Sequence, residues 1–479
     1  MKILLIQPCL SVSDRYGTSL GRVGPVCEPM GLAYLAAVVR EKRKEDIIKI
    51  LDMAALNYSQ EDLINYLNDF KPDLVGISML TPMYLRTKET MKIVRKTLNE
   101  QVKIVIGGPH PTVFFTSCLK DCPEANFLLY GEAEISFVNL LNYLENNLDL
   151  SEIKGLVFRK DERIIINPKQ EFIQNLDEIP YPARDLLPME KYRPAPTYFK
   201  KLPSYLILAS RGCPFRCAFC SKISGTKYRA HSIERVINEI KILLDEYGAK
   251  DIIFRDDTFT INRSFVFDLC KKIKEDGLNK RMEWSCMTRV NLVDLELLKT
   301  MKEAGCWSIH YGVESGNQRL LDLIDKSITI EQIKNAFIWT KEVGIEIKAF
   351  FMLGLPTETR EESLKTIEFS KELNPDWVQF TITVPYPGTK LFELSKSDPS
   401  LISYKWEDYQ TWAGWSNKDL VYVPEGRTQE DLKYLQKYAM RSFYFRRKFI
   451  FNQLKNLNSF DRFKVYLVGG WALFKSKFS

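Results

Sequence analysis

Short apolar runs alternate with longer segments of helical periodicity twice along this chain, and few folds satisfy that alternation. In residues 1–145 the runs are Ile3–Gln7, Ile47–Leu51, Leu74–Met79, Lys103–Ile106 and Phe127–Leu129, with helical patterns such as Gly31–Arg40, Glu61–Phe70 and Tyr84–Leu98 between them. The spacing predicts a doubly wound, five-stranded α/β domain with helices on both faces of a parallel sheet. After Lys201 the pattern resumes, with candidate strands Tyr205–Ala209, Asp251–Arg255, Glu283–Met287, Ser308–Val313, Glu346–Met352 and Trp377–Thr383. Six such units over residues 204–385 predict a partial (β/α)6 barrel, a fold whose chemistry gathers at the C-terminal ends of its strands. Residues 146–203 read as a linker: a hairpin pattern at Gly155–Arg159 and Arg163–Ile166, then Pro180, Pro182, Pro188, Pro194 and Pro196. Residues 386–479 are expected to form a helical C-terminal cap.

Composition narrows the class. The 479 residues exceed one ordinary domain, and 45% apolar with 27% charged residues describes a folded chain. A net charge of +7 does not demand nucleic acid, and none is expected as a partner. The opening run is stopped by Pro8, too soon for a secretory leader, and no run reaches the ~18 apolar residues of a membrane span. The expected setting is the cytoplasm, where the ten cysteines stay reduced and clustered ones suggest metal.

One such cluster is Cys213-Pro214-Phe215-Arg216-Cys217-Ala218-Phe219-Cys220, just after a predicted strand. Thiolates ligate iron–sulfur clusters, usually four to a cluster. Here three stand close together and the next cysteine is Cys270. Three ligands on a four-iron cubane leave one iron open, and an open metal position implies chemistry rather than scaffolding. Zinc with a distant fourth ligand, or three core cysteines, are the alternatives. Zinc sites normally use paired C-x2-C elements, and His110, His231 and His310 are the only histidines. The motif, with the aromatic Phe219 before its last cysteine, resembles the radical S-adenosylmethionine superfamily. The resemblance implies a [4Fe–4S] cluster on Cys213, Cys217 and Cys220, whose open iron chelates S-adenosylmethionine. An external donor such as flavodoxin or ferredoxin would then drive release of a 5′-deoxyadenosyl radical.

The same resemblance gives roles to residues at the later strand ends. Asp256 and Asp257 suit the amino group of S-adenosylmethionine, or they cap the following helix. Arg289 suits its carboxylate, or is simply solvated. Glu314 and Ser315 suit the ribose hydroxyls, or cap a loop. Gly354, before Leu355-Pro356, and Pro387, within Pro385-Tyr386-Pro387-Gly388, match adenine-side backbone contacts, although glycine and proline punctuate turns anyway.

No G-x-G-x-x-G loop follows the first strand, where Pro8-Cys9-Leu10-Ser11 stands, which argues against a dinucleotide fold. Gly107 and Gly108 after the fourth strand let a large ligand approach the backbone at the sheet edge. With Glu28–Ala36, Ser78-Met79-Leu80-Thr81-Pro82 and Tyr130-Gly131-Glu132-Ala133-Glu134, this loop resembles the cobalamin-binding half of the cobalamin-dependent radical S-adenosylmethionine enzymes. That family includes radical methylases and the anaerobic Mg-protoporphyrin IX monomethyl ester cyclase. The resemblance runs to about residue 450. It implies cobalamin beside Ser78, Thr81, Gly107, Gly108, His110 and Glu132. The D-x-H-x-x-G signature that carries a histidine to cobalt is missing, so His110 is expected near the corrin tail and not on cobalt. A plain docking domain is the alternative.

The expected activity is methylation of an unactivated carbon of a small or lipid-like substrate. One S-adenosylmethionine would methylate cobalamin, and a second would yield the radical that takes the substrate hydrogen. Radical cyclisation or oxidation without methyl transfer is the near alternative. A corrinoid sensor or carrier with a structural cluster is the distant one, weakened by the missing fourth cysteine. Finally, Met440–Ser479 holds nine Lys/Arg, eleven aromatics and one acid. That composition suits an amphipathic cap with its rings inward, or peripheral contact with the inner membrane.

Overall fold

A computed structural model describes residues 1–9, 25–146, 149–161, 163–396, 403, 405–409 and 419–455. These form two compact units, the first built on the N-terminal strand and residues 26–192, the second on residues from Arg193 onward.

In the first unit, β1 (Lys2–Gln7), β2 (Ile47–Asp52), β3 (Leu74–Ser78), β4 (Lys103–Gly107) and β5 (Phe127–Leu129) pair in parallel in the order β2-β1-β3-β4-β5. Ile3, Leu4, Leu5 and Ile6 are all buried, as continuous apolar runs must be when helices cover both faces. The sheet does not stop at five strands. The hairpin β6 (Leu156–Lys160) and β7 (Arg163–Ile166) pairs antiparallel onto β5 and extends it to seven. A hairpin shows the same alternation whether it stands alone or closes a sheet edge, so sequence put it in the linker. The proline-rich stretch is not free either. Ala183 donates its amide to the Ala33 carbonyl at 3.1 Å, Asp185 forms a two-pronged pair with Arg40, and the Tyr192 hydroxyl reaches Asp52 at 3.0 Å. The strand order reverses between β1 and β3, and the crevice outside the carboxyl ends there is where such sheets take ligands.

The second unit is a six-stranded, all-parallel sheet. It is made of β8 (Ser204–Ile207), β11 (Asp251–Phe254), β12 (Glu283–Thr288), β13 (Cys306–Glu314), β14 (Glu346–Leu353) and β15 (Trp377–Ile382), and a two-residue ribbon of β9 (Ser210–Arg211) and β10 (Arg229–Ala230) follows β8. Helices between the strands start on side-chain caps: Ser232, Asn262, Asp294, Thr329 and Thr359 each accept a backbone amide of the first turn. Such caps, each worth about 1 kcal/mol, fix where each strand-end loop stops. Trp284 packs on Phe254 and Phe259, and Tyr311 turns to the helix Ile330–Glu342, where it packs on Phe337.

The helix Gln429–Tyr444 closes the β15 edge. Gln436 donates to the Phe380 carbonyl at 2.9 Å, and the Tyr444 hydroxyl donates to the Val378 carbonyl at 2.7 Å. Phe443 is buried, whereas Phe445 and Phe451 are exposed. The expected cap therefore forms over the described part of the C-terminal segment; residues 456–479 lie outside the described residues. No helix among the described residues is long and apolar enough to cross a membrane.

Candidate functional site: a three-cysteine loop and a glycine cradle

The ribbon pairs Arg211 with Arg229 and Ser210 with Ala230, and the chain between them carries Cys213, Cys217 and Cys220. The loop is pinned at several points. Gly212, at φ +88°, donates its amide to Asp257 Oδ2 at 3.0 Å. Ala218 donates to the Ile324 carbonyl at 2.8 Å and accepts from the Leu391 amide at 2.7 Å. Phe219 packs into the cluster of Ala218, Leu320, Ile324, Leu355 and Leu391, so it anchors the loop. Cys217 is buried, Cys213 half-buried and Cys220 exposed. Cys270, Cys286 and Cys306 are buried in the core instead. No three His, Cys, Asp or Glu among the described residues gather around one point as a single metal ion requires. A cubane binds each thiolate through a different iron, which spreads the sulfurs apart. Three thiols on one pinned loop, with no fourth in it, suit a cluster that keeps one open iron.

Sequence treated the adjacent carboxylates alike, and the structure separates them. Asp256 is buried and accepts from the Ser210 hydroxyl at 2.5 Å; burial pushes its carboxyl up to about 7. Asp257 is exposed and holds Gly212. Thr258 Oγ1 stands 3.6 Å from Cys213 Sγ.

Arg289 is not solvated. It is buried, donates from Nη1 to Cys217 Sγ at 3.1 Å, and donates to the Lys326 carbonyl. Its guanidinium lies 3.9 Å over the Phe215 ring. Glu314 ends β13 at φ +66° and pairs with Lys326 at 2.7 Å, both side chains buried. Lys326 also stands 5.4 Å from the Phe219 ring centroid. Sequence missed Lys326, because a lysine in the loop after a short helix carries no periodic signal. Ser315 does not join Glu314: its hydroxyl contacts Thr366 at 3.2 Å and accepts from the Asn317 amide. Gly354 ends β14 against Leu432, and Pro387 is buried after β15.

In the first unit, the β3 and β4 ends bring five expected residues together. Gly108 has φ +105°, and a Cβ there would lie 3.1 Å from the Met79 carbonyl oxygen and 3.3 Å from Ser78 Oγ. Gly107 is different: a Cβ there meets only the Leu129 carbonyl oxygen, at 3.5 Å. Open space above Gly107 suits the close approach of a large ligand to the sheet edge. Thr81 Oγ1 lies 3.1 Å from His110 Nδ1, and the imidazole packs between Tyr84 and Phe114. Burial pushes this histidine down to about 4, so it is neutral at physiological pH. Glu132 stands apart from that group and accepts from the Ile173 amide at 2.9 Å.

Comparison with known proteins matches both units. The radical SAM superfamily model matches residues 207–370, and the B12 binding domain model residues 18–141. An uncharacterized methyltransferase of Pyrococcus horikoshii is 38% identical over 95% of both chains. The anaerobic magnesium-protoporphyrin IX monomethyl ester cyclase of Rubrivivax gelatinosus is 28% identical over 82% of this chain and 70% of its own. Among solved structures, the cobalamin-dependent S-adenosylmethionine radical enzyme OxsB superposes with a TM-score of 0.75 at 17% identity, covering 97% of this chain and 70% of its own.

Proposed function

Because this chain belongs to the cobalamin-dependent radical S-adenosylmethionine enzymes, we propose that it transfers a methyl group to an unactivated carbon of its substrate. The observation that carries this reading is the 38% identity to a methyltransferase over 95% of both chains. When bound, the [4Fe–4S] cluster and S-adenosylmethionine supply a 5′-deoxyadenosyl radical, and cobalamin supplies the methyl group. Enzymes of this superfamily act on small molecules and need an outside reductant, here a flavodoxin or ferredoxin in the cytoplasm.

The chain's own residues bind, orient and exclude water. Cys213, Cys217 and Cys220 hold the cluster, on a loop fixed by Asp257 and by the packing of Phe219. Arg289 offers its charge to the Cys217 sulfur and its flank to Phe215. Glu314 stands at the β13 end as the acceptor for ribose hydroxyls, held by Lys326, and the backbone at Gly354 and Pro387 lines the adenine side. Ser315 leaves the set, since its hydroxyl is engaged by Thr366. Ser78, Thr81, Gly107, Gly108 and the neutral His110 form the edge that would receive cobalamin. The identity to the cyclase, over 82% of this chain, favours a second reading in which no methyl group moves.

Product analysis separates the two. Anaerobic turnover with reductant in an extract of the parent cells should give 5′-deoxyadenosine and S-adenosylhomocysteine in equal amounts, with a product heavier by one methylene. Sustained 5′-deoxyadenosine without S-adenosylhomocysteine would mean cyclisation or oxidation.

A further inference from the structure

Side chains alternate across a strand. Tyr311 turns to the helices, so His310 beside it turns to the opposite, concave side of the sheet. Met287 on β12, His310 on β13 and Lys348 on β14 share one register row, which Trp377 on the edge strand β15 continues. His310 is wholly buried, and neither ring nitrogen has a hydrogen-bond partner among the described residues. Its ring meets the edge of Tyr198 at 4.8 Å and lies 6.3 Å from Phe350. Lys348 is 3% exposed. Its Nζ donates to Thr197 Oγ1 at 2.7 Å and lies 3.4 Å from the Tyr198 ring centroid. Arg255, just past the end of β11, is exposed, stands 5.1 Å over the same ring and donates to Met287 Sδ at 3.0 Å.

Two cations thus stand over one tyrosine ring, and no carboxylate pairs with either among the described residues. Burial, with Arg255 nearby, pushes the Lys348 ammonium well below its ordinary range, and burial pushes His310 down too. A buried cation without a counter-ion costs several kcal/mol, and an unsatisfied buried imidazole costs ~1–3 kcal/mol. Native structures rarely carry such groups without a ligand or a switch to justify them. An incoming oxyanion answers all three at once. It pairs with Arg255 and Lys348, and it accepts from a ring N–H of His310 once the Tyr198 edge gives way.

We propose that Arg255, Lys348 and His310 form an oxyanion site inside the barrel that holds a carboxylate or phosphate group of the substrate. The proposal rests on reading this unit as the radical enzyme's barrel. His310 lies four residues before Glu314 on the same strand, ~13 Å along it, and Lys348 lies six residues before Gly354, which sets both apart from the strand ends assigned to S-adenosylmethionine, while Arg255 reaches toward them from the β11 end.

The chain has three histidines, so ring-labelled protein gives three Cε1–H signals, one per imidazole, with His110 and His231 as internal references. The cluster-loaded holoenzyme, in its diamagnetic state, is titrated with inorganic phosphate and separately with acetate. The His310 signal, assigned by His310→Gln, is expected to move saturably with at least one anion while the other two stay still. Phosphate alone indicates a phosphorylated substrate, acetate alone a carboxylate. Lys348→Met should abolish the movement, and Arg255→Gln should weaken binding about tenfold. If Lys348→Met fails to fold, Arg255→Gln, an exposed side chain, carries the test. Saturating S-adenosylmethionine should leave the movement intact. No saturable movement with either anion overturns the proposal. So does movement unchanged in the variants, or movement abolished by S-adenosylmethionine, which would assign the site to that cofactor's own carboxylate. The readout requires no turnover, so its failure leaves the methyltransferase reading standing.

Discussion

The guanidinium of Arg289 donates to Cys217 Sγ at 3.1 Å while its face covers the Phe215 ring two residues earlier in the loop. One residue at the β12 end therefore grips a cysteine and an aromatic of the loop that follows β9. Hydrogen bonds to cluster sulfurs help set an iron–sulfur potential. Lysine keeps the charge but loses the planar fork and the stacking. Arg289→Lys is expected to keep its iron, shift the cluster's midpoint to a more negative value, and form 5′-deoxyadenosine some 10–100-fold more slowly, the usual effect of removing a partner of a metal ligand. An unchanged potential and rate would mean that Arg289 only fills space.

The three loop thiols should bind the cluster without help from the chain's other cysteines. Anaerobic reconstitution is expected to give about one [4Fe–4S] cluster per chain. Replacing Cys213, Cys217 and Cys220 together by alanine should abolish both the iron and its visible absorption. Cys270→Ser, Cys286→Ser and Cys306→Ser should retain the full complement, since those thiols are buried elsewhere. Iron retained by the loop variant would return the zinc and core-cysteine alternatives to contention.

The adjacent glycines of the β4 end are expected to fail differently. Gly108, at φ +105° and ψ −169°, occupies a region nearly closed to residues with a Cβ. Gly108→Ala should destabilise the first unit by ~1–3 kcal/mol. Gly107 has room for a methyl group, so Gly107→Ala should fold normally and weaken cobalamin retention. Thermal melts with cobalamin titrations distinguish the two; equal loss of stability in both would refute the distinction.

Periodicity made the strands legible, because a parallel strand covered on both faces has little freedom in composition. Leu74–Met79 and Phe127–Leu129 needed only their apolar runs to be placed. The cysteine loop was legible because its spacing is chemical rather than geometric. Side-chain direction was not legible. Asp256 and Asp257 are neighbours in sequence, yet one turns inward to Ser210 and the other outward to Gly212. Ser315 turns away from Glu314 for the same reason, alternation at a strand end followed by a turn. Lys326 and Lys348 were invisible because their partners, Glu314 and Thr197, are brought to them only by the tertiary fold.

His110 should never reach cobalt, and it should impose a pH dependence on the first unit. Its ring is enclosed by Thr81, Tyr84 and Phe114, and burial holds it at about 4. Between that value and the ordinary 6.5 the unfolded chain binds a proton that the folded chain does not. Stability present above pH 6.5 is therefore lost as pH falls toward 4, by up to ~3 kcal/mol. His110→Gln should flatten that slope in urea denaturation. Electron paramagnetic resonance of the cobalt(II) state should show no imidazole nitrogen splitting; splitting that disappears in His110→Gln would overturn the assignment.

The C-terminal segment divides at Lys455. Helix Gln429–Tyr444 supports β15 through Gln436 and Tyr444, and Trp377 packs on Tyr444 and Phe449. Truncation after Ala439 removes Phe443, Tyr444 and Phe449 from that packing and should cost several kcal/mol, since losing one large buried aromatic alone costs about 3–5 kcal/mol. Truncation after Lys455 spares all of these contacts. Its thermal midpoint should match that of the full chain, and it isolates the remaining 24 residues, with their four Lys/Arg and six aromatics, as the source of any membrane affinity. Near an anionic surface each cation is worth ~1 kcal/mol, and salt screens it. Sedimentation with anionic vesicles at low salt should therefore pull down the full chain and release the truncated one. Equal sedimentation of both would place the affinity on the exposed Phe445 and Phe451 of the described helices, and sedimentation of neither would leave the segment as a cap alone.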